Sequence, residues 1–121
     1  GSETVLVVED QAEVRAMVTT ALRSAGYGVL EAQDGESALG VFRENPGRVD
    51  LLLTDVIMPG MDGGELARQL TGQDAKLRVL FMSGYDDRTL ERSDEGSMAA
   101  AYIQKPFTPG TLLEQVRAIL D

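Results

Sequence analysis

The chain has neither cysteine nor histidine, and the two absences remove much of the chemistry open to a small protein. Without cysteine there is no disulfide, no zinc–thiolate site and no thiol nucleophile. Without histidine there is no Ser-His-Asp triad, no imidazole metal site and no phosphohistidine within the chain. Basic residues are scarce: 11 Lys and Arg stand against 20 Asp and Glu, a net charge of −9. A nucleic-acid partner is therefore not expected, since its phosphates need a basic face. Most of the negative charge reads as a solvated acidic surface, with a smaller share available to a cation site. Long apolar runs are lacking too. The longest, residues 98–103, is far too short for a membrane span. No basic, apolar, small-residue succession opens the chain as a secretory signal would. We expect a cytoplasmic chain without direct membrane contact. Its chemistry must rest on carboxylates, hydroxyls, amines and backbone groups.

Its 121 residues fit a single domain over 1–121, with Gly1 and Ser2 set aside as a cloning scar. Short apolar runs at 4–8, 50–54 and 78–82, with weaker ones at 28–32 and 101–104, read as strands covered on both faces. Helical stripes lie between them. Val14, Met17, Val18, Ala21 and Leu22 follow i, i+3, i+4, i+7, i+8, and Leu112, Val116, Ile119 and Leu120 follow a similar spacing. Ala38, Leu39 and Phe42 form a shorter stripe, as do Leu66, Ala67 and Leu70. Gly26, Asn45-Pro46-Gly47 and Gly72 are expected to close the first three helices, and Thr108-Pro109 to open the last. Residues 86–97 should hold a further helix, but only Leu90 anchors it among seven charged residues. The order is βα repeated five times, which predicts an α/β fold with a doubly wound, five-stranded parallel sheet. In such sheets ligands bind beyond the carboxyl ends of the strands, where the winding reverses.

The residues at those ends carry charge. The first strand ends in Glu9-Asp10, the third in Thr54-Asp55, the fourth in Ser83-Gly84 and the fifth in Lys105-Pro106. Taken singly, each has an ordinary explanation: a helix cap, a turn or a loop pair. Together they bring three carboxylates, a hydroxyl and an ammonium to one edge. Three carboxylates repel, and Lys105 offsets only one of them. A divalent cation neutralises the remainder; hard oxygen ligands select Mg²⁺, Mn²⁺ or Ca²⁺, and a few carboxylates with waters and one backbone carbonyl suit Mg²⁺ best. Such a pocket can position and neutralise a phosphoryl group, with a carboxylate as its acceptor.

These blocks resemble the response-regulator receivers of two-component systems. The resemblance runs over essentially the whole chain: Val7-Val8-Glu9-Asp10, Asp34-Gly35, Thr54-Asp55-Val56-Ile57-Met58-Pro59-Gly60-Met61-Asp62-Gly63, Met82-Ser83-Gly84 and Lys105-Pro106-Phe107. It implies a flavodoxin-like (βα)5 receiver fold with strand order 2-1-3-4-5. It also implies that Asp55 accepts a phosphoryl group from phosphohistidine in a Mg²⁺-dependent reaction that switches the conformation. By the same resemblance Asp10 and Asp55 ligate Mg²⁺, Glu9 acts through water, and the Ile57 backbone carbonyl is a further ligand. Lys105 and Ser83 contact the phosphoryl group, Ser83 and Tyr102 form the switch, and the bond preceding Pro106 is cis. Glu9 stands where Asp is commoner, and Ile57 and Tyr85 occupy positions that modulate how fast the phosphoryl group is lost.

The implied partner is a histidine kinase or a histidine phosphotransfer domain, docking by the first helix near Val14 and Arg15 and by the loop around Phe107. The blocks around Ser83 and Lys105 look most like receivers at the C-terminal end of hybrid sensor kinases. No DNA-binding output is expected of the chain itself. A monomer or weak dimer is expected, with self-catalysed phosphoryl transfer and autodephosphorylation but no enzymatic turnover of another substrate. The alternative is a degenerate receiver that acts only as an interaction module. An independent enzyme on a flavodoxin-like fold fits less well, because Glu9-Asp10-Gln11-Ala12 is not a glycine- or hydroxyl-rich first loop.

Overall fold

The computed structural model describes residues 2–84 and 101–121. In them β1 (Thr4–Val8), α1 (Ala12–Ser24), β2 (Gly28–Ala32), α2 (Gly35–Glu44), β3 (Leu51–Asp55), α3 (Gly63–Gln73), β4 (Arg78–Ser83), β5 (Ala101–Gln104) and α4 (Pro109–Leu120) follow one another. The helix expected within residues 86–97 lies outside the described residues. All strand pairs are parallel, in the order β2-β1-β3-β4-β5. The fold is the expected doubly wound α/β sheet. Its winding reverses between β1 and β3, so the ends of those two strands face the crevice where such sheets bind ligands. No described helix is long and apolar enough to cross a membrane.

Alternation along each strand explains why both faces are apolar. Val5, Val7, Leu51, Leu53, Leu80 and Met82 pack with Val18, Leu22, Leu112 and Val116 on one side. Leu6, Val8, Leu52, Val79 and Phe81 pack with Leu39, Phe42, Leu66 and Leu70 on the other. Helices α1 and α4 thus cover one face, and α2 and α3 the other. Each fully buried Leu contributes roughly 1.5–3 kcal/mol, enough to hold the strands in register while their polar ends meet. Side chains cap three helices: Asp34 accepts from the Ser37 amide at 2.8 Å, Asp62 from Glu65 at 2.8 Å and Thr108 from Thr111 at 3.1 Å.

Three boundaries differ from the sequence pattern. β3 is Leu51–Asp55 rather than 50–54, because its ladder with β4 continues until Asp55 lies opposite Met82. Asp55 therefore closes the strand. β4 extends to Ser83, which lies opposite Gln104. Gly72 does not end α3. The helix runs on to Gln73 and stops at Asp74, where the backbone turns extended and the side chain accepts from the Lys76 amide at 3.0 Å.

At the sheet edge opposite the carboxyl ends, Arg117 of α4 clasps the start of the chain. Its Nη2 lies 2.8 Å from Glu3 Oε2, Nη1 donates to the Tyr27 hydroxyl at 3.1 Å, and Nε donates to Asp121 at 2.7 Å. Arg78 donates to the Ile119 carbonyl at 2.7 Å, so two arginines hold the last turn of this helix.

α3 begins directly against the end of β3. The Gly63 amide donates to the Val56 carbonyl at 2.7 Å, and a Cβ on Gly63 would collide with the Asp55 carbonyl. Gly63→Ala should therefore lower stability by about 1–3 kcal/mol, read as a shift in the urea midpoint. Gly72→Ala, whose Cβ meets nothing, should be neutral or stabilising. Equal midpoints for the two variants would contradict the close approach.

Candidate functional site

Glu9 leaves the end of β1 with its side chain fully buried, and each of its polar atoms is engaged. Its amide donates to the Ala32 carbonyl at 3.1 Å, and its carbonyl accepts from Arg15 Nη1 at 2.7 Å. Oε2 accepts from the Gln11 amide at 3.0 Å, and Oε1 from Lys105 Nζ at 2.8 Å. Asp10 comes next and is exposed at the rim. Asp55 is 3% exposed at the end of β3; Lys105 Nζ lies 2.5 Å from its Oδ1. Its other oxygen, Oδ2, is buried with no hydrogen-bond partner among the described residues. Oxygens of Glu9, Asp10 and Asp55 all lie within 4.8 Å of one another.

Lys105 reaches this group from the far side of β4. Its amide donates to the Ser83 carbonyl at 2.8 Å, and the Lys105–Pro106 peptide is cis. Ser83 is buried at the end of β4, and its hydroxyl donates to the Gly84 carbonyl at 3.2 Å. Tyr102 is half-buried, its ring stacked on Phe81 with centroids 5.3 Å apart. Ile57, just past Asp55, is 45% exposed. The structure thus brings Glu9, Asp10, Asp55 and Lys105 into one cluster, with Ser83 joined to it through the Lys105 backbone. Tyr102 packs beside β4. Tyr85 lies outside the described residues.

Burial drives the Asp55 carboxyl up to about 8; Glu9 beside it adds to the rise and Lys105 opposes it. Burial also acts to raise Glu9, but the adjacent Asp55 carboxyl, the Lys105 ammonium and the Gln11 amide outweigh it and hold Glu9 below its ordinary value. Asp10 is raised by desolvation on its pocket side and by the neighbouring Glu9 charge. Burial lowers the Lys105 ammonium, yet its bonds to Asp55 and Glu9 prevail and raise it. An all-oxygen donor set that includes a buried, partnerless carboxylate oxygen fits a hard divalent cation such as Mg²⁺.

Sequence reasoning missed two supports. Arg15 reaches back six residues to the Glu9 carbonyl, and its Nε lies 3.5 Å from Glu31, so it is tied to the turn after β1. Its one sequence signal is a cation in the first turns of a helix, where the dipole disfavours it. Gly63, whose place in the motif does not mark it as structural, lets α3 approach the Asp55 backbone.

Residues 5–117 match the family model of the response regulator receiver domain. The chain is 38% identical over 121 residues to the sensor kinase CckA of Brucella abortus, with all of this chain aligned to 13% of that protein. It is 35% identical over 116 residues to the response regulator receiver protein CpdR of the same organism, covering 96% of this chain and 95% of that one. The crystal structure of the receiver domain from the hybrid histidine kinase CckA superposes with a TM-score of 0.82 at 37% identity, covering 98% of this chain and 99% of that one. That of the Vibrio cholerae chemotaxis protein CheY4 superposes at 0.85 with 31% identity, covering 99% and 100%. The chain therefore spans a small part of the CckA kinase and nearly all of CpdR.

The raised Asp55 group sets a pH dependence whose sign is definite. The folded state holds a proton on Asp55 that the unfolded state releases, so the contribution of this group to metal-free stability is fully present below about pH 4 and is lost as pH rises to about 8. Asp55→Asn abolishes this term. In chelator at pH 8 its melting temperature should exceed that of the wild type by on the order of 5 °C, and the gap should shrink at pH 5. A gap that is constant across this range would rule out the burial of Asp55 as its source.

Proposed function

The chain belongs to the response regulator receiver domain family of two-component systems, and from that premise we propose that it accepts a phosphoryl group from phosphohistidine onto Asp55. The observation that carries the proposal is the pair of Asp55 oxygens: Oδ1 is held by Lys105, and Oδ2 is buried without a partner. In this reading Oδ2 forms the new O–P bond while the P–N bond to imidazole breaks, and the imidazole leaves with the electron pair. Bound Mg²⁺ would neutralise charge on the transferring group. Asp10 and Asp55 would hold it directly, Glu9 through water, and Ile57 by its backbone carbonyl.

Lys105 already sits against the acceptor. Its ammonium would pass from the carboxylates to a phosphoryl oxygen, stabilising charge where it develops. Ser83 would turn its hydroxyl from the Gly84 carbonyl towards the phosphoryl group, and Tyr102 would move inward as it does so. The domain acts on itself, by phosphoryl uptake and autodephosphorylation. A degenerate receiver fits poorly, since Glu9, Asp10, Asp55, Ser83 and Lys105 are all present and four of them meet.

The partner is a histidine kinase or histidine phosphotransfer domain, with the chain cytoplasmic and a monomer or weak dimer. An apolar hollow of about 330 Å³, lined by Val14, Met17, Lys105, Pro106 and Phe107, adjoins the acceptor and suits a helical partner. The likeness to the CckA receiver supports a parent of the hybrid-kinase kind.

Incubation with Mg²⁺ and a small phosphodonor should add one phosphoryl group to the wild type by intact mass and none to Asp55→Asn. Lys105→Ala should bind Mg²⁺ as well as the wild type or more tightly, while losing the phosphorylation-dependent conformational change. A wild type that gains no mass rejects the proposal. Val14→Glu should slow transfer from the kinase and spare the small donor; no slowing of either reaction would remove α1 from the interface.

A further inference from the structure

We propose that Arg15 is a positioning residue for the acidic pocket: by holding the Glu9 carbonyl it fixes the peptide that carries Asp10, and so sets the affinity of the site for Mg²⁺. The inference rests on the cation-dependent role proposed above and names a residue that supports it from outside the cluster.

Arg15 sits in the first turns of α1, whose N-cap Gln11 makes no side-chain cap. The dipole there disfavours a cation, so other contacts must compensate. The guanidinium finds two: Nη1 donates to the Glu9 carbonyl at 2.7 Å, and Nε faces Glu31 Oε1 at 3.5 Å. Glu31 stands on β2 opposite Val7, and Arg23 holds its second oxygen at 3.1 Å. A chain of charge therefore runs from Arg23 through Glu31 and Arg15 to the turn after β1. The Arg15 side chain is only 21% exposed.

The consequence follows from peptide planarity. The Glu9 carbonyl and the Asp10 amide share one rigid plane. The Glu9 carboxylate is already held by Lys105 and Gln11, and its amide by β2. Holding the carbonyl as well removes the remaining rotation about Glu9, which sets the direction in which Asp10 departs. Asp10 is the exposed member of the three carboxylates, so this backbone restraint matters more to it than burial does.

Charge and position predict opposite signs, which makes the test decisive. If Arg15 acted only as a nearby positive charge, Arg15→Ala would tighten Mg²⁺ binding. We expect instead a roughly tenfold weakening by isothermal titration calorimetry, the scale for loss of a group that orients a metal ligand. Arg15→Lys keeps the charge but not the planar fork, and should fall between the two. Glu31→Ala should weaken binding in the wild-type background and add nothing to Arg15→Ala. With a small phosphodonor, Arg15→Ala should need more Mg²⁺ to reach the same plateau rate. An affinity for Arg15→Ala equal to or tighter than the wild type overturns the inference, as does a lower melting temperature with unchanged affinity. Should Arg15→Ala fail to fold, unchanged affinity in both Arg15→Lys and Glu31→Ala overturns it equally. A wild type that binds no Mg²⁺ rejects the proposed function and this inference together, whereas a normal wild type matched by Arg15→Ala rejects this inference alone.

Discussion

Lys105 brings one positive charge to the place where β1 and β3 deliver three negative ones, and the carboxyl edge of the sheet depends on it. Its ammonium touches Glu9 and Asp55 together, two residues that are almost completely buried. A buried charge left unpaired is expensive, and removing one partner of a buried pair commonly costs several kcal/mol. The same lysine is tied to β4 through its backbone bond to Ser83. One residue therefore couples the ends of three strands, although it lies 96 residues from Glu9 in sequence. Even so it is insufficient, because a carboxylate oxygen remains buried and partnerless beside it. The pocket is folded but electrically incomplete, which is the condition a cation or a phosphoryl group can exploit.

Much of the fold was legible in the sequence because both strand and helix patterns were strong. The bounds of β1, β2 and β5 follow directly from their apolar runs. β3 and β4 each reach a residue farther, because ladder pairing continues into polar residues that hydrophobicity does not mark. Gly72 misled because a glycine in an exposed last turn weakens a helix without ending it. At the site, the chemical types and their strand-end positions could be read. The partners of Lys105, the engagement of all four Glu9 polar atoms and the backward reach of Arg15 could not. Those depend on side-chain paths between elements distant in sequence, for which linear spacing has no signature.

The two edges of the sheet have been put to opposite uses. At the amino edge, Arg117, Glu3, Tyr27 and Asp121 satisfy one another, and the Arg117 guanidinium pulls the Glu3 carboxyl down to about 2. Apolar contact on both faces carries the stability between the edges. At the carboxyl edge, desolvation pushes Asp55 the other way. Strain in the polar network is thus confined to the end where the winding reverses, and the remainder of the domain is consistent enough to tolerate it.

The arginine clasp has a mechanical side. α4 is pinned near its C-terminal end by Arg117 and Arg78, while its first turn follows Lys105 by only a few residues. A rod held at one end converts a push at the other into rotation. The arm from Pro109 to Arg117 is roughly 12 Å long at helical rise. Any displacement that the pocket imposes on Lys105 would reach α4 as a tilt about that fixed end, with the largest excursion beside Phe107 and almost none at the chain terminus.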